Sequence, residues 1–144
     1  MIGSQQSVLE QAAAECRAGH YVEAWAIAGS DARARTYVRY HAGDLEGALS
    51  EARAAAADPW LSSQATEIAL ALHRGAVAEA SLAAWAAAGD AQTALAIEAA
   101  QRDLGELRAT ERAAQSGIRR AHWINALACA LALLFLLRCA RPRA

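Results

Sequence analysis

A six-residue pattern, Gly-x-x-x-x-Ala, occurs four times within residues 19–94 and constrains the fold more than any other feature. A glycine can end one helix in the left-handed conformation, and an alanine five residues later lets the next helix cross closely. Each copy therefore predicts a tight turn between two antiparallel helices. The four predicted turn residues are Gly19, Gly43, Gly75 and Gly89.

Alanine makes up 42 of the 144 residues, and all 14 basic residues are arginine. Alanine favours helices, whereas the β-branched and aromatic residues typical of sheets are scarce. We therefore expect an all-α protein whose core is built from small side chains, with Trp25 and Trp85 as large fillers. Asp44 and Asp90 are expected N-caps, and Asp58-Pro59 is expected to end one helix and begin the next. The helices are expected at 5–17, 20–28, 31–42, 44–57, 60–73, 76–88 and 90–120.

The turn pattern resembles the tetratricopeptide (TPR) repeat, most closely in residues 37–59 (YVRYHAGDLEGALSEARAAAADP). Pro59 arrives one residue early there, and the Trp and Leu-Gly of the family's first helix are missing. The resemblance covers roughly residues 5–90. It implies stacked antiparallel hairpins, an α-solenoid, that bind peptides or partner proteins in a concave groove without catalysis. The turn and small packing residues of the family correspond to Gly43, Asp44, Ala48, Ala52 and Ala55.

The 17 residues 121–137 carry no charge, and the last twelve of them are apolar throughout. As a helix they extend about 25 Å, slightly less than the ~30 Å hydrocarbon core of a bilayer. We predict a transmembrane helix over 121–138, with a buried core helix as the alternative. The predicted span residues are Trp123, Leu127, Leu131, Leu134, Phe135 and Leu137, and the flanking arginines are Arg119, Arg120, Arg138, Arg141 and Arg143.

The position of this segment predicts a tail anchor. Residues 1–20 contain no secretory signal peptide, so residues 1–120 are expected to stay in the cytosol or on the matrix or stromal side. The predicted segments are a hairpin domain (1–89), a connecting helix (90–120), the span (121–138) and a short basic tail (139–144). This layout resembles the tail-anchored mitochondrial fission proteins, which recruit soluble partners to a membrane.

A stripe of residues spaced alternately three and four apart extends from Ile97 to Phe135, as in a coiled-coil heptad. Glu111 and Asn125 are polar positions in this stripe, and we predict that they specify helix association. The alternative is that residues 97–118 pack on the preceding hairpin.

No nucleotide-binding, zinc-binding or nucleophile motif occurs, so we expect no catalysis, cofactor, metal or nucleic-acid binding. The cysteines are expected to be free thiols, and acids such as Glu46 and Glu51 to be solvated. The predicted function is a membrane-anchored adaptor for protein partners. The alternatives are an accessory subunit of a large membrane complex of the respiratory, ATP-synthase, photosynthetic or secretion type, and a soluble repeat protein with a buried C-terminal helix. The expected partners are proteins and membrane lipid, with transmembrane-helix partners or a homodimer as further alternatives.

Overall fold

The computed structural model describes residues 7–88 and 93–139, with side chains as far as residue 133. Regular structure within these ranges consists of seven helices and no strand, which confirms the all-α prediction. The helices are α1 (Val8–Ala18), α2 (Tyr21–Ala28), α3 (Ala32–His41), α4 (Leu45–Ala54), α5 (Pro59–Ala71), α6 (Gly75–Ala88) and α7 (Ala94–Cys139).

The chain divides into two compact units, Met1–Leu107 and Arg108–Ala144. The first unit contains α1 to α6 and the beginning of α7, and the second contains the rest of α7. The expected segment boundary between residues 89 and 90 lies outside the described residues. Helix α7 is continuous across the expected boundary between residues 120 and 121.

Helices in the first unit pack as consecutive pairs, α1 with α2, α3 with α4 and α5 with α6. Helix α3 also contacts α1 and α2, and α4 contacts α5, so each pair lies against the next. Alanines dominate two clusters of buried side chains, one among α1 to α3 and one among α4 to α7. Small side chains therefore let neighbouring helices approach closely, as the composition predicted.

The turns after α1 and α3 have the geometry that the glycine pattern predicts. Gly19 and Gly43 both have a φ of 83°, in the left-handed region. The amide of each following residue, His20 or Asp44, donates to the carbonyl five residues back at 2.9 Å. This is the Schellman arrangement, which satisfies carbonyls at the end of a helix.

The turn after α5 differs from the expectation. Gly75 is the first residue of α6, and His73 instead adopts the left-handed conformation with a φ of 54°. The Arg74 amide donates to the Ala69 carbonyl at 2.8 Å, which completes the same arrangement as in the two glycine turns. The turn thus lies two residues earlier than Gly75, and Ala78 takes the buried position expected for Ala80.

Three aspartates begin helices. The Asp31 carboxylate accepts from the Ala34 amide at 2.8 Å, and Asp44 accepts from the Gly47 amide at 2.9 Å. Asp58 accepts from the Trp60 amide at 2.9 Å, ahead of a first turn that opens with proline. These are N-caps, which satisfy helix amides that have no intrahelical partner. The predicted turn residue Gly89 and the predicted cap Asp90 lie outside the described residues.

Candidate interaction surfaces

Two arginines of α3 cover the indole of Trp25 on α2. The guanidinium carbons of Arg35 and Arg39 lie 4.9 and 4.8 Å from the centre of the Trp25 ring. A guanidinium at this distance from an indole face forms a cation–π interaction. Trp25 also packs on the buried cluster of α1 to α3, so its orientation is fixed from both sides.

The same arginines are held by an acid of α4, Glu51, and by the N-cap of that helix, Asp44. The Arg35 guanidinium donates to Glu51 at 2.5 Å, and the Nε atom of Arg39 lies 3.4 Å from the same carboxylate. Arg39 also donates to Asp44. Two hydrogen bonds lower the pKa of the Asp44 carboxyl. The larger effect comes from the Gly47 amide and the smaller from the Arg39 guanidinium. Glu51 is therefore half-buried and paired, not solvated as the sequence suggested.

Another ion pair joins the start of α3 to the cap of α5. Arg33 donates through two nitrogens to the two carboxylate oxygens of Asp58, at 2.7 and 3.0 Å. This bidentate geometry is the strongest form of an arginine–carboxylate pair. It is the main cause of the lowered pKa of the Asp58 carboxyl. Helix α3 is thus fixed to α4 and to the start of α5 by side chains that also shape the nearby surface.

A groove in the first unit opens beside the Trp25 and Arg39 pair. Its cavity volume is about 430 Å³, and it is lined by Tyr21, Val22, Trp25, Val38, Arg39, Ala42 and Asp44. The Val22 side chain is 80% exposed and the Tyr21 side chain 40% exposed. Aromatic residues and arginine are enriched at protein interfaces, because they contribute large contact areas and directed hydrogen bonds. The groove is therefore lined by two aromatic side chains and an arginine, among smaller side chains.

The beginning of α7 belongs to the core of the first unit. Ala100 and Leu104 are buried with Trp85, and Ile97 packs against the same cluster. The first part of the heptad-spaced stripe therefore faces the protein's own core, as the packing alternative proposed. Trp85, only 6% exposed, is a core filler as expected.

The second unit presents a different surface. Residues 109–133 are exposed throughout, including the predicted association residues Glu111 and Asn125 and the predicted flanking residues Arg119 and Arg120. Several large apolar side chains in this segment are between 59 and 77% exposed. They are Ile118, Trp123, Ile124, Leu127, Leu131 and Leu133.

No helix, within the residues that are described, carries an apolar stretch long enough to cross a membrane. Part of the predicted span and its flank lies beyond the described side chains. The predicted residues concerned are Leu134, Phe135, Leu137, Arg138, Arg141 and Arg143.

The two cysteines whose side chains are described, Cys16 and Cys129, are free thiols. Cys16 is a buried free thiol whose pKa is raised by desolvation, and Cys129 is an exposed free thiol. Nowhere in residues 7–88 and 93–133 do three His, Cys, Asp or Glu side chains lie close enough together to hold a metal ion. Cys139 lies outside the described side chains.

Comparison with known proteins yields no match to a protein-family model, to a curated protein or to a solved structure.

Proposed function

We propose that the chain is a non-catalytic adaptor that binds a protein partner through its helical hairpins and is anchored to a membrane by the C-terminal part of α7. One observation carries the proposal: six large apolar side chains between residues 118 and 133 are exposed. Exposed apolar patches of this kind typically mark interaction with a membrane or a protein, because leaving them in water is unfavourable.

The charge pattern supports a membrane as the surface that covers these side chains. Arg119 and Arg120 precede the uncharged stretch, and Trp123 follows them by one helical turn. Tryptophan prefers the level of lipid headgroups, and arginine can extend its charged end from there towards water. The order arginine, tryptophan, leucine along α7 fits a helix that enters a bilayer.

The groove of the first unit is the proposed partner site. Trp25 is held rigidly by Arg35 and Arg39, so it can contribute contact area with little loss of conformational entropy. Val22 and Tyr21 add exposed apolar surface beside it. The TPR-like resemblance of residues 5–90 agrees with a peptide or a protein segment as the occupant.

The membrane anchor can be tested by charge substitution in α7. Leu127→Arg combined with Leu131→Arg should release the protein from a carbonate-washed membrane fraction, because each arginine at a helix centre costs about 2.5 to 3.5 kcal/mol of insertion free energy. Leu95→Arg is the matched control, since Leu95 is 80% exposed but lies in the first unit. If the wild-type protein stays out of the membrane fraction, the anchor is refuted and the soluble repeat protein is favoured.

The partner site can be tested independently of the anchor. Val22→Arg should abolish the recovery of salt-sensitive soluble partners from a mild-detergent purification, while the protein remains in the membrane fraction. Leu95→Arg again serves as the control, because Leu95 and Val22 are both 80% exposed. Retention of the same partners by the Val22 variant would exclude the groove.

An accessory subunit of a membrane complex is the second candidate, favoured by the polar positions of α7. His122, Asn125 and Cys129 follow one another at three- and four-residue spacing, so they share a helix face. An amide in a bilayer seeks a partner on another helix. Asn125→Leu should then weaken the assembly with stoichiometric membrane subunits in mild detergent. Unchanged assembly would remove the support that Asn125 gives to this candidate.

A further inference from the structure

Helix α7 carries both acids and arginines up to Glu111 and arginines alone after it. All 15 acidic residues of the sequence lie within residues 1–111, whereas arginines continue to occur after them. We call residues 112–133 the basic segment, and every side chain in it is exposed. Glu111 precedes Arg119 by eight residues, which is about 12 Å along a helix and too far for an ion pair. The sequence therefore leaves the charges of Arg119 and Arg120 without a neighbouring acid on the helix.

The arginines of the basic segment stand at two different heights relative to Trp123. Arg119 and Arg120 precede Trp123 by four and three residues, which corresponds to about 5 to 6 Å along the axis. Arg112 precedes it by eleven residues, or about 16 Å. If the exposed Trp123 side chain lies at the headgroup level, Arg119 and Arg120 reach the phosphate level and Arg112 lies in water.

We propose that Arg119 and Arg120 give the basic segment a preference for anionic lipid headgroups. The inference rests on the proposed membrane anchor and adds the chemistry of the lipid. A guanidinium binds phosphate oxygens through paired N–H donors, and an anionic surface also attracts its positive charge. The absence of acids after Glu111 matters because a carboxylate at the same level would be repelled by that surface.

The test measures transfer of the purified full chain from detergent into preformed vesicles, by flotation. One set of vesicles is pure phosphatidylcholine, and the other contains about one fifth phosphatidylglycerol. At low salt, two arginines near the surface predict a preference of about 25-fold for the anionic vesicles, from a contribution of about 1 kcal/mol per charge. High salt should reduce this preference, because ions screen exposed charges.

Substitutions test whether the lipid preference comes from Arg119 and Arg120 themselves or from the net charge of the protein. Arg119→Gln with Arg120→Gln should remove the part of the preference that these two charges contribute, about 25-fold, and substitution of both by lysine should preserve most of it. At physiological salt, Arg112→Gln should change the remaining preference less than twofold, because Arg112 lies about 16 Å, or about two Debye lengths, from Trp123. Arg17→Gln with Arg102→Gln removes the same amount of charge from exposed positions of the first unit and should leave the preference intact.

Four results would overturn the inference, and they separate it from the proposed anchor. Equal transfer into both vesicle types, or an unchanged preference in the Arg119 and Arg120 glutamine variant, refutes the headgroup preference but leaves the anchor standing. Transfer into neither vesicle type refutes the anchor and the inference together. Capture by added transfer RNA in place of vesicles would assign the arginines to nucleic acid and would also refute both.

Discussion

Replacing His73 by glycine should stabilise the first unit. His73 has a φ of 54°, a conformation in which an L-residue suffers a clash between its Cβ atom and the following carbonyl. In the turns after α1 and α3, the equivalent positions are the glycines Gly19 and Gly43. The His73 side chain is exposed, so its removal costs little packing.

The expected gain follows from two opposing contributions. The left-handed conformation costs about 1 to 2 kcal/mol for a residue with a Cβ atom, and histidine tolerates it better than most. Glycine loses more backbone entropy on folding than histidine does, and this loss reduces the gain in stability by roughly 0.5 kcal/mol or more. The net increase in the free energy of unfolding for His73→Gly is therefore about 0.5 to 1 kcal/mol, or about 2 to 6 °C in Tm.

Urea unfolding of the full chain in mild detergent, followed by far-UV circular dichroism and tryptophan fluorescence, measures this change. His73→Val should be destabilised, because a β-branched residue is the least tolerant of a positive φ. Gly43→Ala should lose about 1 kcal/mol for the same reason, since a Cβ atom at Gly43 would contact nothing within 4 Å and only the backbone would resist it. A decrease in stability for His73→Gly would refute the left-handed assignment, because glycine destabilises a residue in helical conformation.

Two further predictions concern the charged contacts of the first unit. Gly47→Ala should lower the free energy of unfolding by at most about 1 kcal/mol, because its Cβ atom would displace the Asp44 carboxylate that caps α4 and the Arg39 guanidinium beside it, while alanine itself favours the helix. Gly105→Ala, at an open helical position, is the control and should be stabilising in the same urea experiment. The lowered pKa of the Asp58 carboxyl means that its contribution is present above its unfolded pKa of about 3.9 and is lost as the pH falls through the lower folded pKa. Urea unfolding at a series of acidic pH values should therefore show a shallower pH dependence for Asp58→Asn, and an unchanged slope would refute the role of the pair with Arg33.

The helices could be predicted from the sequence because their ends carry local signals. Asp44 and Asp58 accept hydrogen bonds from helix amides within three residues, and Pro59 fits only a first turn. Gly19 and Gly43 likewise end helices through the backbone freedom of a single residue. Each of these signals acts within one helical turn, so it can be recognised from neighbouring residues in the sequence.

The position of the turn after α5 and the ion pairs of Glu51 could not be predicted in the same way. Histidine at a positive φ is a weaker sequence signal than glycine, so the nearby Gly75 placed the predicted turn two residues away from His73. Glu51 meets Arg35 and Arg39 only because α3 and α4 pack side by side. The groove depends in turn on the packing of α2 against α3, since Trp25 and Arg39 come from these two helices. Such contacts follow from tertiary structure, which residue spacing does not encode directly.

Helix α7 shows why periodicity alone could not decide between its two predicted surroundings. The same three- and four-residue spacing continues from Ala100 and Leu104, which are buried, to Asn125, which is exposed. A periodic stripe indicates that one face of a helix is covered, but it does not indicate by what. The charges beside the stripe carry that information, because acids accompany its buried part and no acid follows Glu111. The first unit ends at Leu107, four residues before that last acid, so the change in charge and the end of the protein's own core nearly coincide. An anionic membrane attracts arginine, accommodates leucine and repels acids, so a helix that enters it would need the kind of composition found after Glu111. The lipid preference of the Arg119 and Arg120 variants tests this requirement directly.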